Sequence, residues 1–202
     1  MKNIKTSFLD ISTLKVPVHT GDLLVAQPFL QEEWFNRAVI TVIDHSAEEG
    51  TTGAVLNLPI HSTLSEVLDG VTREEPVPVY CGGPLSQDRL FFVHTLGDSI
   101  IPDARQYAPG QWIGGDFAAA IDYVNQGYPI DGMLRFFVGY SGWTPGQLDE
   151  EIEADTWAVQ SDAASAGKLL EGAGDAYWHR IVRSLGSFYR HWLMIPQDIR
   201  SN

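Results

Sequence analysis

The segment Phe136–Leu148 constrains the fold more than any other part of this sequence, because it joins a buried strand to a helix through a glycine turn. The strand comes from an apolar run over residues 133–138 that only Arg135 interrupts, a pattern typical of strands covered on both faces. Gly139 and Gly142 indicate a turn that requires positive φ or a close backbone approach. A buried strand that leads into a helix predicts a mixed α/β domain.

The residues after this turn predict the start of a helix. Thr144 fits an N-cap, Pro145 the first helical residue, and Gln147 the partner that closes a capping box. A helix start that follows a glycine turn can bind an anion. Here Thr144 and the acidic residues 149–151 already serve this end of the helix. We therefore predict capping rather than an anion site.

Length and charge limit the classes of function to be considered. The chain has 202 residues, 44% of them hydrophobic, and is predicted to form one domain over residues 21–202 after an extended segment over residues 1–20. A net charge of −13 disfavours general binding to phosphate backbones. The charge is uneven, because residues 176–202 hold four arginines and one aspartate, a local charge of +3 that leaves −16 on the rest.

Cysteine content and hydropathy predict a cytoplasmic protein. Cys81 is the single cysteine, which excludes an intrachain disulfide and fits a reducing compartment. The first residues are not followed by a continuous apolar segment, so no signal peptide is predicted. No run approaches the roughly 20 apolar residues of a membrane span. We therefore expect no membrane association.

Two pairs of β-rich runs indicate the sheet. Residues 38–43 and 53–58 flank a polar loop and predict a hairpin. A second pair is predicted from residues 77–81 and 90–95, joined through Gly82-Gly83-Pro84. These hairpins alternate irregularly with helical segments, so a doubly wound parallel sheet is not expected. We predict the α/β (α+β) class, with a strongly curved sheet that is mixed or mainly antiparallel.

Helices are predicted at five other places. They are one or two turns over residues 29–36, a short helix with a Thr63–Glu66 capping box, a helix capped by Asp116, a weak helix over residues 162–170, and an amphipathic C-terminal helix from Trp178 to Trp192.

Potential catalytic and metal-binding groups do not form a recognised motif. None of the six histidines has a partner at metal-ligand spacing, so no metal and no cofactor is predicted. The carboxylate pairs at 48–49, 74–75 and 150–151 are interpreted as solvated faces. Cys81 is interpreted as a buried thiol, and a histidine such as His94 beside it would instead make it a nucleophile.

Several sequence blocks, taken in order, resemble the AlgH-like (YqgE) family of bacterial proteins. The blocks are Gly21–Ala26 with Pro28, Phe35–Val39, Gly53–Pro59, Gly82–Pro84, Gly139–Trp143, Gly146–Leu148 and Trp157, ending near Trp178 and Leu185–Gly186. The Gly-Gly-Asp-Phe at residues 114–117 and the Phe-Phe before Gly139 resemble the Bacteroidetes branch. The resemblance implies a single domain with a split, barrel-like sheet and no established catalytic residues. Members are often described as transcriptional regulators, a label that comes without a DNA-binding motif.

Seven residues in these blocks are candidates for binding a ligand or partner. Arg37, Asn57, Tyr140 and Trp143 are not fully explained by folding, because each places a charge, an amide or an aromatic ring with a polar group near a strand end. If these strand ends converge, they would line a shallow groove for a peptide or small polar ligand. Gly82, Gly83 and Ser141 complete the candidate set, and Ser141 stands where Ala is expected in many members of the family.

The C-terminal helix provides a second candidate surface. Arg180, Arg183, Arg190 and His191 lie on its predicted polar side. They are interpreted as a solvated helix face, and facing phosphates or an acidic protein partner is the alternative interpretation.

These observations favour a non-catalytic regulatory or binding protein that contacts a protein partner or a small polar ligand. One alternative is a DNA-binding transcriptional regulator that dimerises to concentrate its C-terminal arginines. Another is a hydrolase or transferase that uses the Gly139–Trp143 turn. This turn departs from the serine-hydrolase elbow, because Trp143 stands where a glycine is required.

Overall fold

The computed structural model describes residues 11–161 and 169–196. Within them the chain forms one ten-stranded sheet flanked by helices. The strands are β1 (Leu23–Ala26), β2 (Val39–Ser46), β3 (Gly50–Val55), β4 (Pro59–Thr63), β5 (Pro78–Cys81), β6 (Leu85–His94), β7 (Arg105–Ala108), β8 (Gln111–Ile113), β9 (Leu134–Trp143) and β10 (Trp157–Gln160). The helices are α1 (Leu64–Val67), α2 (Phe117–Asn125), α3 (Gln147–Glu153) and α4 (Gly174–Ser184), followed by a 3₁₀ helix over Ser187–Met194.

The sheet is split along β9. Its strand pairs are mainly antiparallel, as predicted, and in the described residues β5 and β9 form the one parallel pair. The main order of strands is β10-β1-β2-β3-β9-β6-β8-β7. One edge of β9 pairs with β6, and its other edge pairs first with β5, in parallel, and then with β3. The hairpin predicted over residues 38–58 is present as β2 and β3.

The second predicted β pair is wrong. β5 and β6 do not pair with each other, because β9 lies between them and pairs with both. The Gly82–Gly83 segment therefore carries the chain past β9 instead of turning it back as a hairpin. Gly82 donates its amide to the carbonyl of Val138 at 2.9 Å and accepts the amide of Val55 at 2.9 Å. These bonds join it to the strands on both sides of the split.

The sheet is curved but is not closed into a barrel. Its last strand, β7, contacts β2 through side chains and approaches Gly21, two residues before β1. The Tyr107 hydroxyl lies 3.2 Å from the Thr41 hydroxyl, and both terminal nitrogens of Arg105 donate to Asp44 at 2.9 Å. A Cβ added to Gly21 would lie 2.5 Å from that of Ala108. We call this side-chain junction the seam.

Three apolar clusters cover the two faces of the sheet. One face packs against α4 and the 3₁₀ helix, where Trp178 and Trp192 are fully buried and stacked at 6.4 Å. The opposite face of β1–β3 packs against α3 and contains Trp143 and Trp157. A third cluster lies under α1 and α2 and includes Phe136.

The helix predictions are confirmed in part. Asp116 caps α2 as predicted and accepts the amides of Ala118 and Ala119. The α3 helix begins at Gln147 with Gly146 (φ 80°) as its N-cap, so Thr144 is not the cap. Thr144 instead donates its amide and hydroxyl to the Gln147 side chain.

The four other helix predictions have different outcomes. The Thr63–Glu66 bond is present, and the Glu66 carboxylate accepts the Thr63 amide at 2.7 Å. Residues 29–36 contain one helical turn, in which the Asn36 amide donates to the Glu32 carbonyl at 2.9 Å, but it does not extend into a helix. The single C-terminal helix is wrong, because Gly186 (φ 98°) separates α4 from the 3₁₀ helix. The weak helix over residues 162–170 lies largely outside the described residues.

Residues 11–20 carry no regular secondary structure and lie against the domain. Thr13 donates its amide to Asp155 at 2.7 Å, Leu14 donates its amide to the Tyr189 hydroxyl at 2.9 Å, and Val18 is buried beside α3. In the described ranges, no helix has both the length and the apolar character needed to cross a bilayer.

Candidate functional site

The glycines of the predicted groove are explained by a close crossing of two backbones. Gly139 has a φ of 69°, and a Cβ placed there would lie 2.5 Å from the Gly83 carbonyl oxygen. A Cβ on Gly82 would lie 2.2 Å from the Gly139 carbonyl oxygen. Side chains at these positions would collide with backbone atoms that cannot move freely. This crossing brings the Gly82–Gly83 segment directly against the end of β9.

Ser141 and Cys81 are held in this crossing by carbonyl groups. The Ser141 hydroxyl is fully buried and donates to the carbonyl of Gly82 at 3.0 Å. The Cys81 thiol donates to the carbonyl of Gly83 at 3.5 Å, and burial raises the pKa of Cys81. His94 instead faces the carbonyl of Gly114 at 3.2 Å. These contacts pair neither the hydroxyl nor the thiol with a general base, which a nucleophile requires.

Arg37 and Asn57 lie together, but they connect the sheet to α4 and line none of the cavities described below. The Asn57 side chain accepts the Val39 amide at 2.9 Å and donates to the carbonyls of Arg37 and Gly174 at 2.9 and 3.1 Å. Arg37 is 3% exposed and donates to Asp175 at 2.6 Å.

The Arg37 guanidinium also donates to the carbonyl of Ile195 and lies over the Trp178 ring, 4.8 Å from its centroid. Its backbone has a φ of 48°, which is uncommon for a residue with a side chain. Every contact of Arg37 and Asn57 described here is internal to the fold.

Trp143 lines a cavity of about 360 Å³ between α3, β10 and the segment after Gly83, which we call the aromatic cavity. Its walls include Phe35, Trp157 and Leu85 as well as the carboxylates of Glu32 and Glu151. Trp143 and Phe35 each meet the Trp157 ring edge to face, at 6.1 and 5.6 Å between centroids. Edge-to-face packing of this kind holds the rings in fixed orientations.

One carboxylate oxygen joins the two tryptophans of this cavity. Glu151 Oε2 accepts the indole N–H of Trp143 at 2.8 Å and that of Trp157 at 2.7 Å. Its Oε1 accepts the Gln147 side-chain amide at 2.9 Å. The prediction of a fully solvated Glu150–Glu151 pair is therefore wrong for Glu151, because two buried indoles require an acceptor. Glu150 is exposed as predicted.

Tyr140 lines a different cavity, of about 260 Å³, which we call the seam cavity. Its lining residues are Ile43, Asp44, Thr52, Gly53, Phe91, Arg105, Ile113 and Tyr140. Tyr140 and Trp143 are therefore not brought into one groove. The end of β9 contributes them to two separate cavities.

A third cavity, of about 310 Å³, has the Arg135 side chain in its wall. Arg135 donates to the carbonyls of Leu56, Leu170 and Gly172, and its guanidinium lies 4.1 Å from the centroid of the Tyr80 ring. Burial lowers the pKa of Arg135. This guanidinium already serves three backbone acceptors, so we assign it a structural role.

The four residues of the predicted basic surface differ in exposure and in their contacts with the rest of the fold. Arg183 and Arg190 are exposed on α4 and the 3₁₀ helix, and His191 is half-buried. Arg180 lies over the Tyr177 ring at 4.6 Å and donates to the carbonyl of Glu171 at 2.8 Å. Whether this surface contacts a partner stays a prediction.

In residues 11–161 and 169–196, no group of three or more His, Cys, Asp or Glu side chains is placed to hold a metal ion.

Sequence reasoning did not assign Glu151, Glu32, Phe35 and Trp157 to a site. Phe35 and Trp157 stood out only as parts of family-like blocks. The available signal was that α3 is acidic and flanked by two tryptophans, each of which needs a hydrogen-bond acceptor when buried. That signal does not specify which carboxylate is the acceptor.

Comparison with known proteins gives one family match. Residues 23–190 match the family described as AlgH-like. A UPF0301 protein of Parabacteroides distasonis is 42% identical over 178 residues, which is 88% of this chain and 88% of that protein. A UPF0301 protein of Bacteroides fragilis is 35% identical over 195 residues, covering 96% of this chain and 97% of that protein.

Two solved structures share the fold. A Corynebacterium diphtheriae protein aligns with a TM-score of 0.73 and 24% identity, covering 91% of this chain and 95% of that one. The AlgH protein of Pseudomonas aeruginosa aligns with a TM-score of 0.64 and 23% identity, covering 87% and 93%. At these identities the likeness supports the fold alone.

Proposed function

The chain belongs to the AlgH-like family, and on that premise we propose that it is a non-catalytic regulatory protein that binds a basic segment of a partner protein in the aromatic cavity. The observation that carries the proposal is the Glu151 carboxylate, fixed in the cavity wall by the indoles of Trp143 and Trp157. The proposal assigns no chemistry to the Gly139–Trp143 turn.

The electrostatics of this face favour a cation over an anion. The α3 helix carries Asp149, Glu150, Glu151 and Glu153 in seven residues, and Glu32 lies across the cavity. The rest of the chain adds to this field, since the net charge is −13. A negative field attracts cationic ligands and repels phosphate.

The walls of the cavity suit the side chain of Arg or Lys. The aliphatic part of such a side chain packs on Leu85 and Phe35, and its charged end reaches Glu151 and Glu32. Aromatic rings add a favourable interaction with cations, worth about 0.5–1 kcal/mol at exposed sites. Leu85 is 43% exposed, so a peptide can reach the cavity from solvent.

The proposed regulation through a protein partner in the cytoplasm is consistent with the state of the single cysteine. Cys81 is free and buried, which suits a reducing compartment. The family description as transcriptional regulators is compatible with an indirect role through a protein partner. Such a role does not require this chain to contact DNA.

A peptide titration tests the proposal. The probes are two capped pentapeptides, with Arg or Glu at the centre of four alanines, added to ¹⁵N-labelled protein. We expect the Arg peptide to shift the indole N–H signals of Trp143 and Trp157, whose Glu151 acceptor it contacts. The Glu peptide should leave them unchanged at the same concentration.

Matched variants of α3 assign the effect to the cavity. Glu151→Gln keeps an acceptor for both indoles while removing the charge, and should weaken Arg-peptide binding about tenfold, the loss of one charge-assisted contact. Glu150→Gln removes an exposed charge from the same helix and should change affinity little. Equal binding of both peptides, or equal effects of the two variants, would refute the proposal.

A further inference from the structure

The seam cavity is an open pocket lined by strands beside the seam, and it is separate from the aromatic cavity. Six strands contribute to its lining, namely β2, β3, β6, β7, β8 and β9. None of its lining residues also lines the aromatic cavity. Openings inside curved or barrel-like sheets are common places for small-ligand sites.

The walls of the seam cavity are mostly apolar. Ile43, Phe91 and Ile113 provide hydrocarbon surface, and the Phe91 ring is held by stacking on Phe137 at 5.3 Å between centroids. A volume of about 260 Å³ lies just below the roughly 300–1,000 Å³ of drug-sized pockets. The cavity therefore suits a ligand of about the size of a single amino acid.

Both signs of charge meet at the edge of this cavity. The Arg105 guanidinium and the Asp44 carboxylate form a two-bond pair at 2.9 Å, yet their side chains remain 52% and 57% exposed. Exposed pairs of this kind contribute only about 0–1 kcal/mol. A ligand that brings its own carboxylate and ammonium can therefore replace the pair at little cost. Tyr140 also lines this cavity.

From this arrangement we propose that the seam cavity binds a small apolar amino acid in its zwitterionic form. Its carboxylate pairs with Arg105, its ammonium pairs with Asp44, and its side chain packs among Ile43, Phe91 and Ile113. A ligand with only a carboxylate would meet the charge of Asp44 without compensation, and one with only an ammonium would meet that of Arg105. The zwitterion satisfies both groups.

Titration of the whole ¹⁵N-labelled protein with L-leucine tests this ligand class. The expected result is a saturable shift of signals from β2, β7 and Tyr140. N-acetyl-leucine lacks the ammonium and leucinamide lacks the carboxylate, so each should bind about three- to fivefold more weakly, as expected for one lost contact to a half-exposed charge. Absence of any shift at about 10 mM leucine, or equal binding of a derivative, would overturn the proposal.

Three variants locate the effect. Arg105→Gln and Asp44→Asn should each weaken leucine binding about three- to fivefold, and both residues are exposed enough to be replaced without unfolding. Arg183→Gln, an exposed arginine on α4, should leave the affinity unchanged. The proposal is wrong if leucine binds the Arg105 and Asp44 variants as tightly as the parent. Because the two cavities share no residue, this result is independent of the peptide titration.

Discussion

Two arginines that interrupt apolar segments are used as buried hydrogen-bond donors. Arg135 and Arg37 are each 3% exposed, and each lies over an aromatic ring; Arg135 donates to three backbone carbonyls, and Arg37 donates to the Ile195 carbonyl and the Asp175 carboxylate. A buried cation is costly unless its N–H groups are satisfied. Removing either side chain would leave buried carbonyls without donors. These internal contacts stabilise the fold, which accounts for a charged residue in each apolar segment without a ligand site.

The burial of His94 affects how the stability of the fold depends on pH. It is fully buried on β6, donates its Nε2–H to the Gly114 carbonyl oxygen at 3.2 Å, and stacks on Trp112. Burial lowers the pKa of His94 below its ordinary 6.5, and the Gly114 hydrogen bond opposes this only in part. The unfolded chain therefore binds a proton at a higher pH than the folded chain does.

We predict that His94 makes the protein less stable as the solution is acidified below about pH 6.5. The stabilisation is fully present above the pKa of the unfolded chain and is lost as pH falls toward the lower pKa of the folded chain. One such group changes the free energy of unfolding by at most about 1.4 kcal/mol per pH unit. Urea denaturation of the parent and of His94→Gln at several pH values measures the slope.

The variant should be less stable at neutral pH, because it loses ring packing, but its stability should vary less between pH 5 and 7, the range of histidine titration. His61→Gln, which replaces an exposed histidine, is the matched control variant. An unchanged slope in His94→Gln would show that another group carries the pH dependence.

Among the elements, the crossing of β9 with the Gly82–Gly83 segment is the most constrained. Here the two backbones approach so closely that neither chain can carry a Cβ at the contact. We predict that Gly139→Ala lowers the free energy of unfolding by about 2–4 kcal/mol, from left-handed strain together with overpacking.

Gly70→Ala separates these two effects. Gly70 has a φ of 87° but nothing within 4 Å of an added Cβ, so it experiences the strain alone and should lose about 1–2 kcal/mol. Denaturant unfolding of both variants gives the comparison. Equal losses would mean that the crossing adjusts and that steric contact is not what requires glycine.

Elements with local signals were predicted from the sequence, and those that depend on distant segments were not. The β2–β3 hairpin and the α2 cap were found because each signal lies within a few neighbouring residues. The pairing of β5 with β6 was wrong because β9, about 50 residues further along the chain, separates them. Local periodicity carries no information about such an insertion.

The candidate site shows the same limit at the level of single side chains. Tyr140 and Trp143 both lie beside cavities, but they line two cavities instead of the one groove that was predicted. Glu151 was interpreted as a solvated charge because its position on an acidic helix says nothing about the indoles of Trp143 and Trp157. Those rings reach it through tertiary packing alone.

For the molecule as a whole, curvature and charge together define what it presents to partners. The curved sheet, joined at the seam by Asp44 and Arg105, borders a small open cavity whose edge carries one positive and one negative side chain. The outer face near α3 is instead strongly acidic. One molecule thus combines a site suited to a small neutral zwitterion with a surface suited to a basic peptide.

The distribution of charge also predicts how the protein behaves toward DNA. Residues 176–202 carry +3 while the rest of the chain carries −16, so duplex DNA meets a repulsive field from most of the surface. We predict no measurable binding of mixed-sequence duplex DNA in fluorescence anisotropy, even at about 50 mM salt, where phosphate contacts are strongest.

Binding of duplex DNA, if it were observed, would show a characteristic dependence on salt. Binding through Arg183 and Arg190 would weaken severalfold or more between about 50 and 200 mM salt and would be lost in the Arg183→Ala, Arg190→Ala double variant. That result would support direct regulation of transcription by a dimer that combines two C-terminal surfaces. Lack of binding, together with a response to the Arg peptide that depends on Glu151, would support regulation through a protein partner.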